Sequence, residues 1–108
     1  MSLAIGNLFN AIPGDIDREI ITDILRGDGV RIERIISKGQ SSPESGWYDQ
    51  QQHEWVVVLS GEAKIMFENN DCAHLIAGSY LTIPAHTKHR VSWTKPDIET
   101  VWLAVHYN

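Results

Sequence analysis

The stretch Trp47–Ile65, WYDQQQHEWVVVLSGEAKI, decides the reading of this chain. It opens with polar and aromatic residues, passes through a single carboxylate at Glu54, and becomes an apolar run, Val56–Leu59, closed by Ser60-Gly61-Glu62. Four consecutive apolar side chains leave no solvent face on an extended strand, so this segment predicts a central strand buried on both sides. Ser60-Gly61 then predicts a tight turn into a second strand, EAKIMFE.

Working outward, short strand-like runs recur on both sides: GVRIERIIS, WYDQQ, SYLTIP, HRVSW and TVWLAVHY. Turn signals separate them at Asn69-Asn70-Asp71, Gly78, Pro84 and Lys95-Pro96-Asp97. Many short strands in 108 residues predict one all-β domain, a sandwich or small barrel. In GVRIERIIS, Val30 and Ile32 alternate with Arg31 and Glu33, the period of a half-buried strand. One segment reads differently. In GDIDREIITDILRG, the apolar residues Ile16, Ile20, Ile21, Ile24 and Leu25 recur at helical spacing. Asp15 would cap a helix over about 15–26 and Gly27 would stop it.

Composition narrows the function classes. The net charge is −5, and nine scattered Lys and Arg build no basic face, which argues against nucleic acid and anionic membranes. The longest uncharged apolar run, Trp55–Leu59, is too short to cross a bilayer. The opening MSLAIGNLF lacks the cationic start of a secretory signal, and a lone Cys72 excludes an internal disulfide. A cytoplasmic protein is the expectation. Cys72 is expected in a polar turn, ENNDCAH, whose acids disfavour a thiolate nucleophile. No Gly-rich phosphate loop precedes a helix, and no GxSxG occurs.

Two spacings carry the functional signal. Glu54 is followed by six residues and Gly61. Gly78 is followed by five residues, Pro84, and then His89, in GSYLTIPAHTKHRVSW. Together these resemble the latter half of the first cupin motif, G-x5-H-x-H-x3–4-E-x6-G, and the second, G-x5-P-x-G-x2-H-x3-N. The stretch between them, Glu62–Ala77, is short, as in small single-domain cupins. The chain is further similar to a group of small bacterial cupins sharing a leading helix, WYDQ, EWV, GEA, PAHxxHRV and WLAVHY. The resemblance covers roughly 29–107. It implies a double-stranded β-helix, or jelly roll, with the helix outside it, whose lumen gathers the motif side chains. It implies no particular reaction.

The chain departs from the pattern where cupins place two metal-binding histidines. Counting back from Glu54, those positions fall on Tyr48 and Gln50, or with the longer spacing on Trp47 and Asp49. His53 adjoins Glu54 and faces the other way in a regular strand. His86 stands where the second motif has Gly, and Trp93 where it has Asn. The resemblance therefore implies Glu54 and His89 as metal ligands, with Gln50 or Asp49 beside them. Such a set would suit a divalent ion such as Zn, Ni, Mn or Fe. Tyr48, Trp93, His106 and His86 complete the candidate pocket. Trp93 shares strand parity with His89 and Val91, and His106 with Trp102 and Ala104. Open sheet edges predict a homodimer.

Three functions stay open on these residues. One is a metal-dependent enzyme acting on a small polar or carboxylate-bearing molecule, with Tyr48 or His106 as acid–base group. The second is a metal-free cupin binding a small molecule in its lumen. The third is a structural or regulatory dimer with a vestigial pocket.

Overall fold

The computed structural model describes residues 3–43 and 46–108 and contains eight strands. They are β1 (Ile20–Gly27), β2 (Val30–Ser37), β3 (His53–Ser60), β4 (Glu62–Phe67), β5 (Cys72–Ile76), β6 (Tyr80–Ile83), β7 (His89–Thr94) and β8 (Thr100–Tyr107). Two sheets face each other. One has the order β1-β2-β8-β3-β6 and the other β5-β4-β7. All pairings are antiparallel.

The central position predicted for Val56–Leu59 follows from this order. β3 lies between β8 and β6, and Val56, Val57 and Val58 are buried. Val56 and Val58 join Ala63, Ile65, Leu75, Ile83, Trp102 and Ala104 in the core between the sheets. Each such side chain removed from water contributes roughly 1.5–3 kcal/mol for the larger aliphatic ones. Gly61 makes the β3–β4 turn possible. Its φ is +95°, and a Cβ there would fall 2.6 Å from Thr100 Cα. Only glycine fits both demands.

The helix expected over about 15–26 is absent, and residues 20–27 form the edge strand β1 instead. Two local causes outweigh the helical spacing. Ile20, Ile21, Thr22 and Ile24 are β-branched and favour extended backbone. Asp28-Gly29 joins β1 to β2 as a two-residue connection with Gly29 at φ +70°, a strong local hairpin signal. Ile24 is an extra residue between the pairs Asp23↔Glu33 and Leu25↔Ile32, so a bulge carries the apolar residues at mixed parity. Ile21, Ile24 and Leu25 remain exposed.

Two smaller differences bear on the site. WYDQQ is not a strand; Tyr48 alone forms a bridge, with His89, through Tyr48 N–H to His89 O at 2.8 Å and the reverse bond at 3.1 Å. Cys72 is not in a turn but starts β5, where it is exposed.

Candidate functional site

A cavity of about 270 Å³ opens between the two sheets. At about 30 Å³ per water, that is the room of roughly nine water molecules, the scale of a small organic molecule. The alternation of the strands sets its walls. Glu54 and Val56 come from β3, Trp102 and His106 from β8, Arg31, Glu33, Ile35 and Ser37 from β2, and His89 and Val91 from β7. Tyr48 and Gln50 approach from the preceding loop, and Glu19 and Ile21 stand on the β1 side.

The polar groups form a row across the large sheet. Arg31 pairs with His106, and His106 with Glu54. Directly opposed residues of antiparallel strands stand about 4.5–5.5 Å apart at Cβ, so the row is continuous. Glu33 supplies the connection: Oε1 accepts a hydrogen bond from His106 Nε2–H at 3.0 Å, and Oε2 lies 3.4 Å from Arg31 Nε. His106 and Glu33 are both largely buried, so this pair is a desolvated contact rather than a solvated one.

His89 reaches the same cavity from the small sheet. β6 ends at Ile83, Pro84 opens the bend, and β7 begins at His89. His89 Nδ1–H donates to the Thr87 carbonyl at 2.8 Å, which fixes the ring and turns Nε2 towards Glu54 Oε1, 3.7 Å away. That separation makes an ion pair rather than a hydrogen bond. Burial by itself lowers the His89 pKa, yet interaction with the Glu54 carboxylate and the bond to the Thr87 carbonyl outweigh it, and the net shift is upward. Glu54 is buried and accepts no hydrogen bond from any described residue; His89 is its one charged neighbour among them. Glu19 is exposed as a residue, but its carboxyl sits against the cavity mouth. Local burial there, and then the Glu33 charge, raise its pKa.

Of the residues singled out in the sequence, Tyr48, Gln50, Glu54, His89 and His106 line the cavity together. Asp49 points elsewhere. Its Oδ1 lies 3.2 Å from Nδ1 of His86, and both side chains are exposed. His86 sits at φ +62° in the bend after Pro84, and its N–H donates to Gln50 O at 2.8 Å. The bend is also held by His53, whose Nδ1 accepts from Ala85 N–H at 2.9 Å. Trp93 departs from the lumen face that its parity with His89 predicts. Ser92 is an extra residue between the pairs Ile65↔Val91 and Lys64↔Trp93, and this bulge rotates the indole to the outside, 5.4 Å from Lys64 Nζ.

The sequence reading missed Glu19, Ile21, Arg31, Glu33 and Ser37. The alternation of β2 was legible, but not which face is inside: Arg31 and Glu33 look into the lumen, with Ile35 and Ser37. A barrel interior lined by polar side chains inverts the usual assignment of polar residues to solvent.

Metal is the group that this fold suggests. Glu54 and His89 are the firm ones, and Gln50 adds a weak amide oxygen. His106 and Glu33 are engaged with each other. Among the described residues no group of three or more His, Cys, Asp or Glu side chains is placed to hold a metal ion. The donor set does not fit a resident divalent ion.

The chain matches the cupin domain over residues 32–106, and it belongs to the cupin family. A solved structure from Ralstonia eutropha JMP134, provisionally named a mannose-6-phosphate isomerase, is 46% identical over 98% of this chain and 99% of its own, with a TM-score of 0.94. Two more distant structures share the fold. A cupin superfamily protein from Desulfitobacterium hafniense DCB-2 is 20% identical, covering 89% of this chain and 83% of its own at a TM-score of 0.73. An RmlC-like cupin from Desulfovibrio desulfuricans is 20% identical over 97% of both chains at 0.74. A comparison with curated proteins finds no match. No helix of the described residues is long and apolar enough to cross a membrane.

Proposed function

We propose that this cupin binds a small polar molecule in its lumen without a resident metal. The carrying observation is the pair of buried carboxylate–imidazole contacts, Glu54 with His89 and Glu33 with His106, that face one cavity with apolar walls of Val56, Ile65, Ile83 and Val91. Few convergent polar groups in an apolar cavity are the usual make-up of a small-molecule site. The same groups are able to accept and donate protons, so binding and acid–base turnover draw on one set of residues.

The name of the Ralstonia relative points to a phosphorylated sugar. The charge of the lumen speaks against that substrate here. Three carboxylates, Glu19, Glu33 and Glu54, line the cavity beside one guanidinium, Arg31, which Glu33 already engages. A phosphate dianion would meet an excess of negative charge in a low-dielectric space.

Elemental mass spectrometry of the untagged protein, alongside a thermal-shift screen of small polar molecules, tests the reading. The expected result is well under one equivalent of any transition metal, with ligands that raise the melting temperature in metal-free buffer. About one equivalent of one metal, lost on His89→Ala, would replace this reading with a metal site on Glu54 and His89.

We also propose a homodimer. β1 is an edge strand, and Ile21, Ile24 and Leu25 are 56%, 49% and 49% exposed along it. Such an edge is a template for pairing with a second chain.

A further inference from the structure

Two buried donors of the lumen have no acceptor among the described residues. Trp102 is 3% exposed and lines the cavity, and its indole Nε1–H is buried without a hydrogen-bond partner there. Arg31 lines the same cavity, and its Nε is likewise buried and makes no hydrogen bond. It stands 3.4 Å from Glu33 Oε2 as an ion pair only. Buried polar groups are almost always hydrogen-bonded, and an indole N–H is a donor only, so its missing partner is an acceptor. Glu54, by contrast, already has His89 against it.

The surroundings select the kind of acceptor. Across the sheet Trp102 stands between Ile35 and Val58, and Val56, Ile65 and Val91 extend this apolar wall of the cavity. The lining's Arg31, His89 and His106 each already face a carboxylate, so none is left to neutralise an anionic oxygen buried there. An anion would also meet the carboxylates of Glu19, Glu33 and Glu54. A hydroxyl oxygen accepts, yet its hydrogen needs an acceptor of its own, which the apolar wall does not supply. A carbonyl oxygen accepts on two lone pairs and donates nothing. The volume of about 270 Å³ limits the ligand to a small molecule.

From this we infer that the lumen recognises a small uncharged carbonyl compound whose oxygen accepts from Trp102 Nε1–H, with Arg31 Nε–H as the donor to a second acceptor oxygen on the ligand. The inference rests on the proposed small-molecule function and names its ligand class. It involves no covalent step.

Four probes on one ring test it: cyclopentanone, cyclopentanol, cyclopentylamine and cyclopentanecarboxylate. Each is titrated into the wild-type protein and into Trp102→Phe in buffer containing EDTA. Binding is followed by thermal shift and by the indole nitrogen–proton resonances. The Trp102 signal is assigned by elimination, from Trp47→Phe, Trp55→Phe and Trp93→Phe, so the assignment does not depend on the Trp102 variant. The expected result is that cyclopentanone binds wild type at least about tenfold more tightly than either charged probe, with cyclopentanol between them, and moves the Trp102 indole proton downfield. In Trp102→Phe the advantage of the ketone is lost. A charged probe binding as tightly as cyclopentanone would overturn the uncharged class, and cyclopentanol binding as tightly would overturn the carbonyl; either leaves the small-molecule lumen standing. Ketone binding that leaves the Trp102 proton unmoved, or a ketone preference that survives Trp102→Phe, would overturn the role of the indole. If no probe binds while the wider thermal-shift screen finds other ligands, the carbonyl class falls alone; if nothing binds in either, the lumen reading falls with it. Should Trp102→Phe fail to fold, the ranking of probes and the Trp102 resonance on the wild type decide.

Discussion

Replacing Glu54 by Gln should reverse the direction in which His89 titrates. The two groups approach to 3.7 Å, a gross attraction of about 4 kcal/mol at an effective dielectric near 20. Against it stands the desolvation of a largely buried imidazolium, which amounts to several kcal/mol per ion. In the wild type the carboxylate and the Thr87 carbonyl prevail, and the His89 pKa is raised above its ordinary value of 6.5. A raised histidine stabilises the fold most below the unfolded pKa, about 6.5, and that stability is lost as pH rises through the folded pKa. Each unit of elevation is worth about 1.4 kcal/mol. The stability gap between wild type and His89→Gln should therefore be largest near pH 6 and shrink towards pH 9, by about 1.4 kcal/mol per unit of elevation. Glu54→Gln keeps the shape of the carboxylate and removes its charge. Burial then dominates, the His89 pKa falls, and the gap should no longer shrink with rising pH. Denaturant unfolding across this range, with the His89 Cε1–H resonance followed in parallel, measures both quantities. A wild-type His89 that titrates below 6.5, or one that Glu54→Gln leaves unmoved, would refute the balance of forces argued here.

Two further outcomes follow from the fold. Gly61→Ala should destabilise by about 2–4 kcal/mol, because φ +95° is strained for alanine and its Cβ would press on Thr100; chemical denaturation reads this, and a loss under about 0.5 kcal/mol would show that the turn relaxes. Sedimentation velocity should find a dimer that Ile21→Lys with Leu25→Lys converts to monomer; a wild-type monomer at micromolar concentration would remove the β1 interface.

Much of the fold was legible in the sequence. Val56–Leu59 could only be a central strand, and Gly61, Gly78 and Pro84 fixed the turns around the two motif halves. The failures came where a single residue changes parity. Ile24 and Ser92 are bulges, and nothing in their own chemistry marks them as such. The first let β1 imitate a helical stripe. The second turned Trp93 out of the lumen. The hairpin dipeptide Asp28-Gly29, by contrast, was visible, and weighing it against the isoleucine spacing would have settled β1. At the site, Glu54, His89, Gln50, Tyr48 and His106 come together as lumen residues. The contributions of Arg31 and Glu33 were hidden, because sequence alternation shows that two faces differ and does not show which one is inside.

The site also explains why His106 and Glu54 tolerate burial in one cross-strand row. His106 gives its Nε2–H to Glu33, so its electrostatic bias is set from the β2 side, and Glu33 is in turn held by Arg31. The chain Arg31–Glu33–His106 is balanced in charge, while Arg31 Nε and the neighbouring Trp102 Nε1 stay without a hydrogen-bond acceptor among the described residues. Glu54 and His89 come from opposite sheets and meet only at 3.7 Å, longer than a hydrogen bond. Both halves of the lumen thus keep polar capacity: Glu54 on one side, and the Arg31 and Trp102 donors on the other. A binding site differs from a buried structural network in just this respect: its polar groups are positioned by the fold but not saturated by it. By that criterion both the Glu54–His89 side, where Gln50 and Tyr48 also reach the cavity, and the Arg31–Trp102 wall have the character of a site rather than of a closed structural network.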